Sequence, residues 1–199
     1  LVYLKNILKK AGKDLGRCIL KKTLGFGSGV MKLLTENDLN EISLINPYWI
    51  DRWSYISKVV NMLKEESFKT VLELGPNKLP VVIEADIMAI KYEVENQKYV
   101  HDATVVPWPI RDKSYDIFIS LQVWEHLGKR QQEAFREVKR ISKKAILSFP
   151  LRWDCPEDPV HHMITEKRIL SWTCFTEPVK KEYTDNRLVC LYEFEEEDE

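Results

Sequence analysis

The sequence predicts an α/β fold: one mainly parallel sheet of about seven strands, closed by an antiparallel C-terminal hairpin and preceded by an N-terminal helical segment. Three observations predict it. From Thr70 onward, short β-rich runs alternate with stretches of helical periodicity, which is the sequence form of strand, crossover and parallel strand. Near the end, the runs 179–184 and 188–194 are separated only by Asp185, Asn186 and Arg187, a hairpin rather than a crossover. Finally, 199 residues that are 44% hydrophobic and 31% charged describe a globular chain. At that length roughly 70% of the unfolded surface can be buried, so no disulfide or metal staple is required.

The first element is a basic amphipathic helix. Leu4, Ile7, Leu8, Ala11, Leu15, Cys18 and Ile19 share one face up to the break at Gly25–Gly29, and residues 1–34 hold eight bases against the single acid Asp14. Its plainest reading is a surface helix packed on the domain; peripheral contact with an anionic membrane, or with a phosphorylated substrate, is the alternative. The last five residues are all acidic and read as a solvated terminus. Nucleic-acid binding is not expected, because the net charge of -1 and a pI near 6.5 lack the basic balance of a phosphate-tracking protein.

A second helix follows the Asn46-Pro47 turn signal, with Trp53, Ile56, Val60 and Leu63 at helical spacing and Asp51 near its start. Strands are then expected at 71–74, 86–92, 98–101, 115–120 and 145–149. Leu127, Ala134, Phe135, Val138 and Ile141 mark an amphipathic helix before the last of these, and 164–172 reads as another helix. The division expected is residues 1–66 as a helical segment able to lid a cleft and residues 67–199 as the α/β domain. Cys18, Cys155, Cys174 and Cys190 form no C-x-x-C pair, and neither a signal peptide nor a membrane-length apolar run is seen; a reduced, cytoplasmic protein is expected.

Chemistry concentrates where strands should end, the edge at which open α/β sheets bind ligands. Glu73-Leu74-Gly75-Pro76-Asn77 closes the first strand; alternation puts Glu73 and Gly75 on one side, an acceptor beside a residue that permits close backbone approach. His101-Asp102-Ala103-Thr104 closes the third. A rigid turn, Pro107-Trp108-Pro109, follows, and the fourth strand runs into Leu121-Gln122-Val123-Trp124-Glu125-His126-Leu127.

This order of E-L-G, H-D-A-T, P-W-P and Y-D-I-F-I-S-L-Q-V-W-E-H-L resembles the class I S-adenosylmethionine-dependent methyltransferases, of the small-molecule and glycan type, over about residues 70–194. The resemblance implies a Rossmann-like seven-stranded sheet with S-adenosylmethionine as cofactor. It places Glu73 near the methionine amino group, Gly75 and Pro76 under the cofactor, Asp102 and Ala103 at the adenine, and Leu121 and Gln122 on the sulfonium side. The acid that binds the ribose hydroxyls is assigned to Glu93, with Asp86 and Glu84 as runners-up. The carboxylates of Glu73 and Asp102 are expected to converge on the two ends of one elongated cavity.

One departure from the family's pattern stands out. Its glycine-rich loop is replaced by Gly75-Pro76-Asn77-Lys78-Leu79-Pro80, so the helix after the first strand must be short or absent.

Past the fifth strand, the loop from Asp154 to His162 should overlook the acceptor. His161, His162 and, at the other junction, His126 are candidate general bases near neutral pH. Each could equally be satisfied by local hydrogen bonds, and adjacent histidines in extended chain point to opposite sides. No complete four-ligand metal spacing is present, so no metal site is expected. The six tryptophans read as core and rim packing.

The function expected is methyl transfer to a small-molecule acceptor, with a saccharide or cell-surface glycan precursor favoured because residues 161–166 and 187–189 look like methyltransferases of glycan assembly. The alternative is a catalytically inactive, methyltransferase-like binding protein that docks on a membrane or protein partner. A dinucleotide oxidoreductase is disfavoured, since no G-x-G-x-x-G follows any strand.

Overall fold

A computed structural model describes residues 31–77, 79–92, 97–184 and 186–195. The basic helix expected near the N-terminus lies outside them. The strands are β1 (Val71–Leu74), β2 (Asp86–Ala89), β3 (Tyr99–Val100), β4 (Tyr115–Leu121), β5 (Ser142–Pro150), β6 (Lys180–Thr184) and β7 (Arg187–Glu193). The helices are α1 (Glu36–Ser43), α2 (Trp53–Lys64), α3 (Gln131–Ile141) and α4 (Glu166–Trp172).

All seven strands form one sheet in the order β3-β2-β1-β4-β5-β7-β6. The first five pair in parallel, whereas β7 lies antiparallel between β5 and β6. Strand order reverses between β1 and β4, which creates the crevice where such sheets take ligands. Register brings the ends together there: Leu74 lies opposite Met88 and Ser120, Leu121 opposite Ser148, and Pro150 opposite Arg187.

Period-two alternation sorts the side chains into two cores. Phe118 of β4, Leu147 and Phe149 of β5 and Tyr192 of β7 join Phe135 and Val138 of α3 on one face. Ile117 and Ile119, Ile146, and Val189 and Leu191 join α1 and α2 on the other. Aromatic rings run through the first core, with Phe118 against Trp108 and Trp124, and Phe135 against Trp124, Tyr192 and Phe194. On the second face α2 buries Ile56, Val59, Val60 and Leu63, each contributing about 1.5–3 kcal/mol by its removal from water. Residues 31–66 thus supply the layer over that face. Among the described residues no helix is long and apolar enough to cross a membrane.

Several local features depart from the sequence reading. α1 was not expected: Thr35 and Asp38 form a capping box that starts it. Asp51 does not cap α2; it adopts φ 63° and the capping position falls to Arg52, which makes no side-chain cap bond. β2 stops at Ala89 because Ile90 and Tyr92, 67% and 65% exposed, are no longer part of a buried strand. Leu127 ends a separate 3₁₀ turn (Trp124–Leu127) before α3.

The absent crossover helix is as expected. Residues 75–85 contain no helix among those described; a turn in which the Leu79 amide donates to Pro76 O leads instead to an antiparallel contact with the segment before α1. Leu33 bridges Val82, the Leu34 amide donates to Val81 O, and the Ile83 amide donates to Lys32 O.

Candidate active site

The carboxyl edge of the sheet begins at Gly75, whose φ of 64° suits glycine. Its amide donates to Met88 O, which ties the β1 turn to β2. A Cβ placed here would stand 3.3 Å from Val123 Cγ2, so the turns after β1 and β4 touch at this residue. Pro76 is buried directly behind it.

Glu73 takes a different place from the one expected. Its register partner Ile119 belongs to the α1/α2 face, and its Oε2 accepts the Val81 amide at 2.8 Å with the Val82 amide also bonded to the carboxyl. Burial pushes its pKa up to about 8, against the pull of those two amides. Where convergence with Asp102 on one cavity was expected, the Glu73 carboxyl is instead buried and taken up by those two amides, and it secures the loop that replaces the crossover helix.

After β3, Asp102 Oδ1 accepts the Thr104 amide at 2.9 Å and its hydroxyl at 2.8 Å. Those bonds hold its carboxyl below the usual carboxylate range and leave Oδ2 outside the turn. Ala103 O accepts from Trp108 Nε1, and Arg140 straps the same turn to α3 by donating to Trp108 O and pairing with Glu137. Ile90 past β2 and Val105 past Asp102 expose apolar side chains at this end of the edge. Glu93 lies outside the described residues. The runners-up for the ribose are committed elsewhere: Asp86 opens β2 at the opposite edge, bonded by Lys98 Nζ and the Tyr115 hydroxyl, and Glu84 accepts the Lys32 amide.

At the end of β4, Leu121 is half-buried, and the next residue, Gln122, adopts φ 56°, a left-handed backbone at a non-glycine residue. It is held there by Ser148, whose O accepts the Gln122 amide and whose Oγ accepts its Nε2 at 3.0 Å. Such backbone conformations persist only where surroundings enforce them and cluster at functional sites.

The 3₁₀ turn that follows carries a polar group the sequence reading passed over. Glu125 is buried with no hydrogen-bond partner in another residue for either carboxyl oxygen, and burial pushes its pKa up to about 7, partly offset by its own backbone amide and then by the charges of Arg187 and Arg52. His161 Nε2 stands 3.6 Å from Glu125 Oε1, and the rings of His161 and His126 meet edge to face with centroids 5.0 Å apart. Burial, then the neighbouring His161, lowers the His126 pKa. His161 Nδ1 lies 2.6 Å from Asp158 Oδ2, while Trp153 packs against the ring and Arg187 stacks on Trp153. His162 turns away, its Nδ1 accepting the Cys155 amide. The three histidines thus divide: His126 and His161 gather at Glu125, and His162 stays with its own loop. The signal for Glu125 was its position, an acid beside a histidine just after β4.

Two hollows lie away from this edge. One of about 200 Å³ sits between α4 and β7, bordered by Lys167, Leu170 and Cys190, and one of about 330 Å³ lies between α2 and β6. Neither is lined by a residue of the predicted site.

Comparison with known proteins agrees with this topology. A family model described as a methyltransferase domain matches residues 81–146. No curated protein matches the chain. Among solved structures, an S-adenosylmethionine-dependent methyltransferase from Aquifex aeolicus aligns with TM-score 0.52 and 14% identity over 79% of this chain and 97% of its own. The N-methyltransferase NodS from Bradyrhizobium japonicum, in complex with S-adenosylhomocysteine, aligns with TM-score 0.56 and 10% identity over 80% and 98%. The PH0226 protein from Pyrococcus horikoshii aligns with TM-score 0.56 and 13% identity over 78% and 99%. The chain has the class I methyltransferase fold.

Proposed function

We propose that this chain, built on that fold, binds S-adenosylmethionine along the carboxyl edge of its sheet and transfers the methyl group to a small-molecule acceptor. The observation that carries the reading is the β1/β4 switch point itself, bracketed by two left-handed residues, Gly75 and Gln122, at which backbone rather than side chain faces a ligand. On the β2/β3 side, Asp102 offers its remaining carboxyl oxygen to an amino donor, and exposed Ile90 and Val105 suit an adenine ring. NodS, of similar fold, holds S-adenosylhomocysteine. The cofactor contacts assigned to Gly75, Pro76, Asp102, Ala103, Leu121 and Gln122 belong to this proposal.

A sulfonium is already an activated donor, so the protein needs chiefly to align it with the acceptor. The bonding pair stays on sulfur as the methyl leaves, and a lone pair of the acceptor forms the new bond. A hydroxyl or protonated amine must also lose a proton, and the groups grouped past β4 and β5 where an acceptor would sit are Glu125, His126 and His161. His162 is assigned no part in that step. The acceptor favoured is a saccharide hydroxyl: beside the tail's likeness to glycan methyltransferases, the indole of Trp153 gives a sugar face an apolar wall next to His161.

Titration calorimetry with S-adenosylhomocysteine tests the reading. One equivalent binds, and Asp102→Ala weakens binding about tenfold, the worth of one hydrogen bond to a charged acceptor. A folded chain that takes up no ligand would instead be the binding protein that has lost its cofactor.

A further inference from the structure

Glu125 presents a problem that the methyltransferase reading alone does not solve. A carboxylate removed from water costs several kcal/mol unless something compensates it. The Glu125 side chain is fully inaccessible to solvent, and no other residue donates a hydrogen bond to either oxygen. What stands closest to it is a pair of imidazoles, with the charges of Arg187 and Arg52 acting from farther off. The ligating atoms of Glu125, His126 and His161 all lie within 4.8 Å of one another. The separation of 3.6 Å between His161 Nε2 and Glu125 Oε1 is close to the roughly 3.3 Å edge of a tetrahedron with metal bonds of about 2.0–2.1 Å.

The surroundings of His161 point the same way. In the neutral tautomer that donates from Nδ1 to Asp158 Oδ2, 2.6 Å away, Nε2 presents a lone pair toward Glu125. A carboxylate behind a histidine is the arrangement that fixes tautomer and ring orientation at metal centres. Asp158 is itself positioned by the loop, since its O accepts the His161 and His162 amides and its Oδ1 accepts the Val160 amide. Trp153 closes one side of the ring without competing for the lone pair.

We infer that Glu125, His126 and His161 form a binding site for a zinc-type divalent cation, with Asp158 as the group that orients His161. Two nitrogens and one carboxylate oxygen suit a borderline ion better than magnesium, which prefers oxygen throughout. Three protein ligands leave a position open, and an oxygen-bearing acceptor fits it; with these lone pairs on the cation, its charge, and not a free imidazole, would then ease loss of the acceptor's proton. The cation site stands on the cluster alone; its service to an acceptor rests on the methyltransferase reading.

The test uses the full chain stripped with a chelator and titrated separately with Zn²⁺ and Co²⁺ by calorimetry. One equivalent of each binds, and Co²⁺ develops the visible absorption of a low-coordinate site. Glu125→Gln, which keeps shape and removes charge, and His161→Ala each weaken binding at least a hundredfold. Asp158→Asn, at a side chain 45% exposed and thus safe for folding, weakens it about tenfold or more, as loss of an outer carboxylate does. His162→Ala leaves it unchanged. The inference is overturned if the stripped chain takes up neither ion, which would leave His161 as a link between the two acids and nothing more. Binding that survives Glu125→Gln, His161→Ala and Asp158→Asn alike also overturns it, by placing the ion elsewhere. S-adenosylhomocysteine binding, measured on the same samples, separates the two readings: metal uptake without nucleoside uptake sinks the methyltransferase proposal alone, and the reverse sinks this one alone.

Discussion

Gly75→Val reduces affinity for S-adenosylhomocysteine about a hundredfold, equivalent to about 2.7 kcal/mol, while the chain stays folded. Two costs combine. At φ 64° a β-branched residue is forced into the left-handed region, at roughly 1–2 kcal/mol. The added carbon also meets Val123 Cγ2 at 3.3 Å, so the turns after β1 and β4 must part or the valine must shift. Either response moves backbone at the switch point, where the cofactor is proposed to approach it. Gly75→Ala adds the Cβ alone and causes a smaller loss, about tenfold. Calorimetry on both variants, with circular dichroism to confirm folding, gives the comparison. Undiminished binding by the valine variant would remove Gly75 from the cofactor site and, with it, the reading of this edge.

Much of the fold was legible because burial imposes short, regular patterns. Val71–Leu74 was bounded correctly, since a strand covered on both faces is apolar apart from one acid and ends at glycine. The lost crossover helix was legible for a negative reason: Pro76 and Pro80 remove donors and restrict the chain over the residues where a helix would form. What replaced it was not legible, because pairing of Lys32–Leu34 with Val81–Ile83 joins segments 49 residues apart without local signal. α1 was missed although Thr35-Glu36-Asn37-Asp38 carries a capping pattern; only Leu39 is buried, so its apolar periodicity is too thin to see.

For the site, sequence and structure part company at Glu73. Resemblance led to the ends of β1, β3 and β4, and at two of them the structure has left-handed backbone, Gly75 and Gln122, on turns that touch through Val123. It could not tell that Glu73 turns toward Val81, because alternation fixes a side of the strand but not what the crossover lays against it. In the sequence His126 and His161 are 35 residues apart and share no motif. Their grouping at Glu125 comes from the β4 and β5 loops meeting in space, which no spacing along the chain records.

Glu73 also makes the stability of this protein depend on pH in a direction opposite to most carboxylates. Burial raises its pKa in the folded chain to about 8, while the unfolded chain releases the proton near 4.5. Between those values the folded state holds more protons than the unfolded one, so stability falls as pH rises through that window and is fully present only below it. The difference corresponds to at most about 5 kcal/mol above pH 8. Glu73→Gln keeps an oxygen for the Val81 amide and has no proton to lose, so its stability minus that of the parent chain grows from near zero at pH 5 toward about 4 kcal/mol at pH 8.5. Taking the difference cancels the other titrating groups, Glu125 among them. Glu73→Ala behaves differently: it leaves the Val81 and Val82 amides without their acceptor in a buried loop and destabilises at every pH, by about 2–4 kcal/mol at pH 5. Urea unfolding of the three chains at both pH values measures this. A parent chain whose stability relative to Glu73→Gln is flat across the window would mean that water reaches the carboxyl, and that the loop from Gly75 to Ala85 opens more readily than its packing indicates.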